Sequence, residues 1–210
     1  MGGVIDSEPA HRRFYLAAAI LPTFTLVRLS LIGTLAPLSE EILSYLLLAA
    51  TLVFYQHATQ AATGRMSLRG PDIIRSLRDA IPLGFALAIA ALILLPAPLS
   101  TVPEEAVFAI LAAGAVALID EYFFRGILQS QISAVSRPVV GWLATAFLFA
   151  AFAATTGDLT VIAYRAGLGL LLGFLVWWRG LLAHALMTRT VSVLLIGVLA
   201  PLDFSVLLPG

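Results

Sequence analysis

The chain has 210 residues, 60% hydrophobic and 11% charged, with a mean hydropathy of +1.01. A soluble globular domain is about half apolar and about a quarter charged, so this composition excludes one and indicates an integral membrane protein. Twelve basic residues, all arginine, balance twelve acidic ones; with no net charge and no basic tail, nucleic acid is not an expected partner, and the absence of cysteine excludes disulfides and thiolate sites.

In chain order, a short polar start carrying Arg12 and Arg13 runs into a full-length apolar stretch without a small-residue cleavage pattern. The first helix is therefore expected to stay and not to be removed as a signal peptide. Helices are expected near 14–37, 42–59, 80–97, 105–132, 138–155, 159–177 and 181–200. Such lengths are near the roughly 17–25 residues that cross a ~30 Å hydrocarbon layer. The expected fold is all-α, a polytopic transmembrane bundle of about seven helices forming one integral membrane domain over 1–210.

The joints between these runs alternate in sign. Arg12 and Arg13 precede the first, Glu40 and Glu41 follow it, and Arg65, Arg69, Arg75 and Arg78 follow the second. Glu104 and Glu105, Arg137, Asp158, Arg179 and Asp203 complete the series. Arginine-rich joints stay in the cytoplasm, which sets the N-terminus inside and the C-terminus outside a cell (inner) membrane crossed several times. Trp177 and Trp178 beside Arg179 fit an interfacial belt, and His57, near Tyr55 and Gln56, fits an interfacial position. In the polar connection 60–78, Ile73, Ile74 and Leu77 recur at helical spacing. It reads either as an amphipathic helix on anionic lipid or as a solvated loop. Gly169 and Gly173, one turn apart, offer a face for close helix approach, and no long repeat suggests a two-halved transporter.

Charge inside a membrane helix costs several kcal/mol per group on the milder scales, roughly 2.5–3.5, so it is kept for a partner, a pathway or chemistry. Six groups raise that question: Arg28, Asp120, Glu121, Arg125, Arg165 and His184. Glu121 and Arg125, four apart, share a helix face and can pair. Asp120 lies a step around the cylinder and needs another solution: protonation, His184, Arg28 or water. Arg28 and Arg165 are expected to pair or to snorkel toward headgroups. A carboxylate in a low-dielectric pocket suits a general base, an imidazole can orient water or ligate a metal, and an arginine can hold a developing oxyanion. Glu121, His184 and Arg125 could fill these roles. The same residues could instead be an ion-pair cluster locking helices together, or part of a proton-linked carrier.

DEYFFRGILQ, from Asp120, resembles the first signature of the CAAX prenyl protease and bacteriocin-processing (CPBP) family of intramembrane proteases, usually Glu-Glu-x-x-x-Arg followed by Gly. GLGLLLGFLVWWRGLLAHALMTRT resembles that family's glycine-rich helix, tight connection and final His-Ala-x-x-Asn signature. The likeness spans about 105–200. It implies hydrolysis of membrane-anchored or prenylated peptides, with Glu121 activating water, Asp120 beside it, and Arg125 and His184 supporting the site. The sequence departs from the pattern at three polar positions. Asp120 replaces a glutamate and Thr188 replaces the asparagine after His184. In the middle Phe-x-x-x-His signature, Phe149 keeps the aromatic but Ala153 stands in the histidine's place. An alanine methyl cannot ligate, orient water or relay a proton, and losing one member of a concerted group costs orders of magnitude in rate. His184 and Glu121 alone form an incomplete metal set, so a divalent metal is expected only if the chain is active. The expectation is a catalytically impaired protein acting as an accessory or structural subunit of a larger membrane complex. The alternative is an active glutamate- and histidine-dependent intramembrane endopeptidase.

Overall fold

The computed structural model describes residues 7–31, 37–59, 70–94, 103–153, 159–180 and 182–199, all but a few of them helical. The elements are α1 (Ser7–Leu31), α2 (Pro37–Thr59), α3 (Gly70–Leu94), α4 (Pro103–Glu121), a π-helical segment (Tyr122–Leu128), α5 (Gln129–Val135), α6 (Pro138–Ala153), α7 (Leu159–Arg179) and α8 (Leu182–Leu199). No strand occurs among the described residues. The expected all-α class is what the described residues adopt.

Several boundaries differ from the sequence expectation for definable reasons. Residues 70–78 belong to α3 and are not a separate surface helix or loop, while 60–69 lie outside the described residues. Pro71 sits in the first turn, where its missing N–H costs nothing, and the apolar period of Ile74 and Leu77 runs on into Ile81. Pro82 removes one helical bond without ending α3. The single expected helix 105–132 is α4, the π segment and α5 in one continuous rod. At its far end the N–H of Gln129 donates to the Phe124 carbonyl, five residues back, the signature of the wider turn.

Turn chemistry places the ends of α6, α7 and α8. Helix α5 stops at Ser136, two residues before Pro138, and Pro138 opens α6 from its first position. Gly180, at φ +70°, closes α7, its N–H donating to Val176 O at 2.9 Å. That left-handed cap lets α8 start almost at once.

Helix α3 lies along α8 in the most extensive helix–helix contact, followed by α6 on α7 and α4 on α8. Ala80, Gly84 and Ala88 form a small-residue stripe, one per turn, on the buried face of α3. A Cβ on Gly84 would stand 2.6 Å from a methyl of Val191, so only glycine permits this approach. Gly169 packs against the Ala146 backbone, and Gly173 leaves room for the Trp142 ring.

The polarity of the molecule is inverted relative to a soluble domain. Phe54, Phe147, Leu159 and Val53 are exposed, while Asp120, Glu121, Arg125, Gln129, Thr145, Thr188 and Ser192 are buried. Two described helices are long and apolar enough to cross a bilayer, Ile74–Ile93 and Leu159–Arg179. Shorter apolar helices cover Leu43–Gln56, Pro138–Phe152 and Leu182–Ile196.

Candidate functional site

The π segment and the turns that flank it are enclosed by other helices almost all the way round. Asp120, Glu121, Phe123, Phe124, Arg125, Ile127, Leu128 and Gln129 are all buried, although they point in nearly every direction from one rod. Neighbouring carboxylates therefore both lie inside. Gln129 anchors the rod to α7, its Nε2 donating to Gly173 O at 3.0 Å.

Around this rod the charges meet. Arg125 Nε lies 3.5 Å from Glu121 Oε2, both side chains wholly buried. Asp120 Oδ2 lies 3.9 Å from Arg165 Nη1 of α7. Phe149 of α6 stands between the two arginines, 4.9 Å from the guanidinium carbon of Arg125 and 5.3 Å from that of Arg165. Phe124 lies 6.0 Å from Arg125. Desolvated cation–π contacts of this kind contribute about 2 kcal/mol, which offsets part of the cost of burying the guanidiniums. Arg189 of α8 is within electrostatic reach of Glu121 and Arg125 and donates to Tyr164 Oη at 3.4 Å.

His184 belongs to a second cluster. Its Nε2 is 3.6 Å from Asp79 Oδ2 and its Nδ1 is 3.3 Å from Ser76 Oγ, both on α3. The same Asp79 oxygen is 3.0 Å from Arg179 Nη2, so the carboxylate ties the end of α7 and the start of α8 to α3. Along α7, Arg165 and Arg179 are about 21 Å apart at 1.5 Å per residue, so the two clusters sit at different depths.

Of the residues singled out from sequence, Asp120, Glu121, Arg125 and Phe149 come together, with Arg165 as the partner of Asp120. The ion pairs of His184 and Glu121 run to different residues, Asp79 and Arg125. Thr188 is buried on α8 and turns its carbonyl toward Gly84. Ala153 ends α6, one turn beyond Phe149; its side chain, like those of Arg28 and His57, lies outside the described residues. Sequence reading passed over Asp79, Ser76, Tyr164 and Arg189. A signal existed for Arg189, which interrupts an apolar run as plainly as Arg165 does, and for Asp79 at the start of the third apolar run. Nothing marked Ser76 or Tyr164.

No group of three or more histidine, aspartate or glutamate side chains among the described residues could hold a metal ion. Asp120 and Glu121 stand among guanidiniums, and this donor set does not fit a divalent cation.

Inverted polarity, an all-helical bundle and ionisable groups buried on a distorted central rod define a helical membrane protein of the kind that keeps charge for a partner or for chemistry. Residues 101–195 match the model of the family described as type II CAAX prenyl endopeptidase Rce1-like, so this stretch carries a domain of the CPBP type. No curated protein matches the chain, and no solved structure does.

Proposed function

We propose that the chain is a multi-pass membrane protein of the CAAX-protease type that is catalytically impaired and serves as an accessory or structural subunit, binding another membrane component. The observation that carries this reading is the division of the polar residues: both carboxylates of the first signature face arginines, and His184 is engaged by Asp79 and Ser76 of α3. Ala153 at the middle-signature position removes the second imidazole. In this reading the inherited cluster organises the bundle around its central rod. Seven crossings of the inner cell membrane, with a cytoplasmic N-terminus, fit the alternation of arginine and acidic joints. Crosslinking in native membranes followed by blue-native separation tests the role: the chain should run within a larger assembly, and a lone monomer contradicts the reading.

One observation favours a second reading, an active endopeptidase for prenylated or membrane-anchored peptides. Both carboxylate oxygens of Glu121 are buried without a hydrogen bond, which leaves them able to accept one from a water or a substrate. Cleavage by the wild type that disappears in Glu121→Gln, with folding unchanged, would establish it.

A further inference from the structure

The two helices long and apolar enough to cross a bilayer bring their ends together at Asp79, in the first turns of α3, and Arg179, the last residue of α7. The Asp79 carboxylate is shared there by three side chains. Its Oδ2 lies 3.0 Å from Arg179 Nη2 and 3.6 Å from His184 Nε2, and its Oδ1 lies 3.6 Å from Arg78 Nε. Two guanidiniums on two helices thus converge on one carboxylate, and among the described residues two positive charges meet one negative at this point before His184 is counted. Both heads open outward, the Arg78 side chain at 81% exposure and that of Arg179 at 42%. The Trp178 ring, 4.4 Å from the guanidinium carbon of Arg179, steadies that head. Arg75, one turn earlier on the exposed face of α3, adds to the positive field.

We propose that Arg78, Arg179 and Trp178 form a site for the headgroup phosphate of an anionic phospholipid. Guanidinium forks bind phosphate oxygens through paired N–H donors, and here two forks from different helices stand beside one another with a surplus of positive charge. Depth selects a lipid over an acidic soluble protein. Arg78 lies four residues, about 6 Å, past Ile74, where the apolar span of α3 begins, and Arg179 closes the apolar span of α7. At that level an arginine keeps its stem against hydrocarbon and its head among the headgroups. Exposed Ile74, Ile81 and Trp178 flank the two guanidiniums. The acyl chains and glycerol of a bound lipid cover such side chains, whereas a soluble acidic partner would have to meet them without apolar cover.

The test uses the full chain in mixed vesicles of phosphatidylglycerol and phosphatidylcholine, one of the two carrying bromines on its acyl chains near the headgroup. The three tryptophans, Trp142, Trp177 and Trp178, lie in one aromatic cluster with Phe174, so quenching of their fluorescence reads the lipid held at this end of α7. Phosphatidylglycerol should be preferred by at least about 25-fold, from about fivefold for each of two arginines. Arg179→Gln should lower that preference about fivefold, with Arg78→Gln as the second variant if the first fails to fold. Arg137→Gln, at the exposed joint between α5 and α6, should leave it unchanged. Equal quenching by the two lipids overturns the proposal. An equal loss in Arg137→Gln also overturns it, since the preference would then come from a diffuse positive surface. So does loss of the preference in millimolar inorganic phosphate, which would mark a site for free anions. No cleavage and no partner protein enter the measurement, so its outcome is independent of the proposed function.

Discussion

Arg125 and Glu121 illustrate how little a buried ion pair says about net stability and how much its disruption costs. Each offsets the other's burial, and removing one leaves a naked charge. Arg125→Ala is expected to lower the unfolding free energy by about 3–5 kcal/mol, whereas Glu121→Leu combined with Arg125→Met should recover most of that loss. A double-mutant cycle on denaturant unfolding in mild detergent reads the difference; additive losses would show that the pair is not coupled. Asp79→Asn loosens a half-exposed tie to Arg179 and His184, so its effect on Tm should be smaller than that of Arg125→Ala. The charged residues of DEYFFRG were legible because they interrupt hydrocarbon. Their partners were not: Asp120 meets Arg165, and His184 meets Asp79, across long stretches of chain, and only the packing of α7 and α8 on the rest brings them within reach.

The helices themselves follow from apolar runs and punctuation, and where the punctuation is explicit, at Pro138 and Gly180, the sequence expectation lies within a few residues of the structure. The π segment Tyr122–Leu128 carries three aromatics and Gly126, which lower α-helix propensity, but nothing in that composition specifies a wider turn. The stripe of Ala80, Gly84 and Ala88 has the same one-per-turn spacing as Gly169 and Gly173 but holds a single glycine among the many alanines of its run, so it did not stand out. Gly84→Ala should destabilise the bundle by about 1–3 kcal/mol, because its methyl enters the Val191 side chain in the most extensive helix–helix contact. Gly114→Ala, with nothing near the added methyl, should be neutral or stabilising by up to about 1 kcal/mol. Thermal unfolding of both variants in the same detergent distinguishes packing from propensity, and equal shifts would contradict the close approach of α3 and α8.

Taken as one object, the bundle presents many apolar side chains outward and buries Asp120, Glu121 and Arg125 on its central rod, an arrangement suited to a bilayer. A chain without cysteine allows each joint to be probed singly. Cysteines placed at Arg12 and Arg137 should react with an impermeant maleimide from the cytoplasmic side, and one at Glu105 from the opposite side; the same side for all three would refute the seven-crossing order. Membrane class was readable from composition alone, and the first signature from two carboxylates, an arginine and a glycine in an apolar helix. Activity was not readable, since it depends on whether Glu121 and an imidazole act on one water, and the imidazole present is held by α3. The most direct measurement is therefore the release of the C-terminal residues from a prenylated CAAX-ended peptide by the purified chain in nanodiscs, wild type beside Glu121→Gln. An impaired scaffold predicts no release by either protein; release by the wild type that Glu121→Gln abolishes would contradict it.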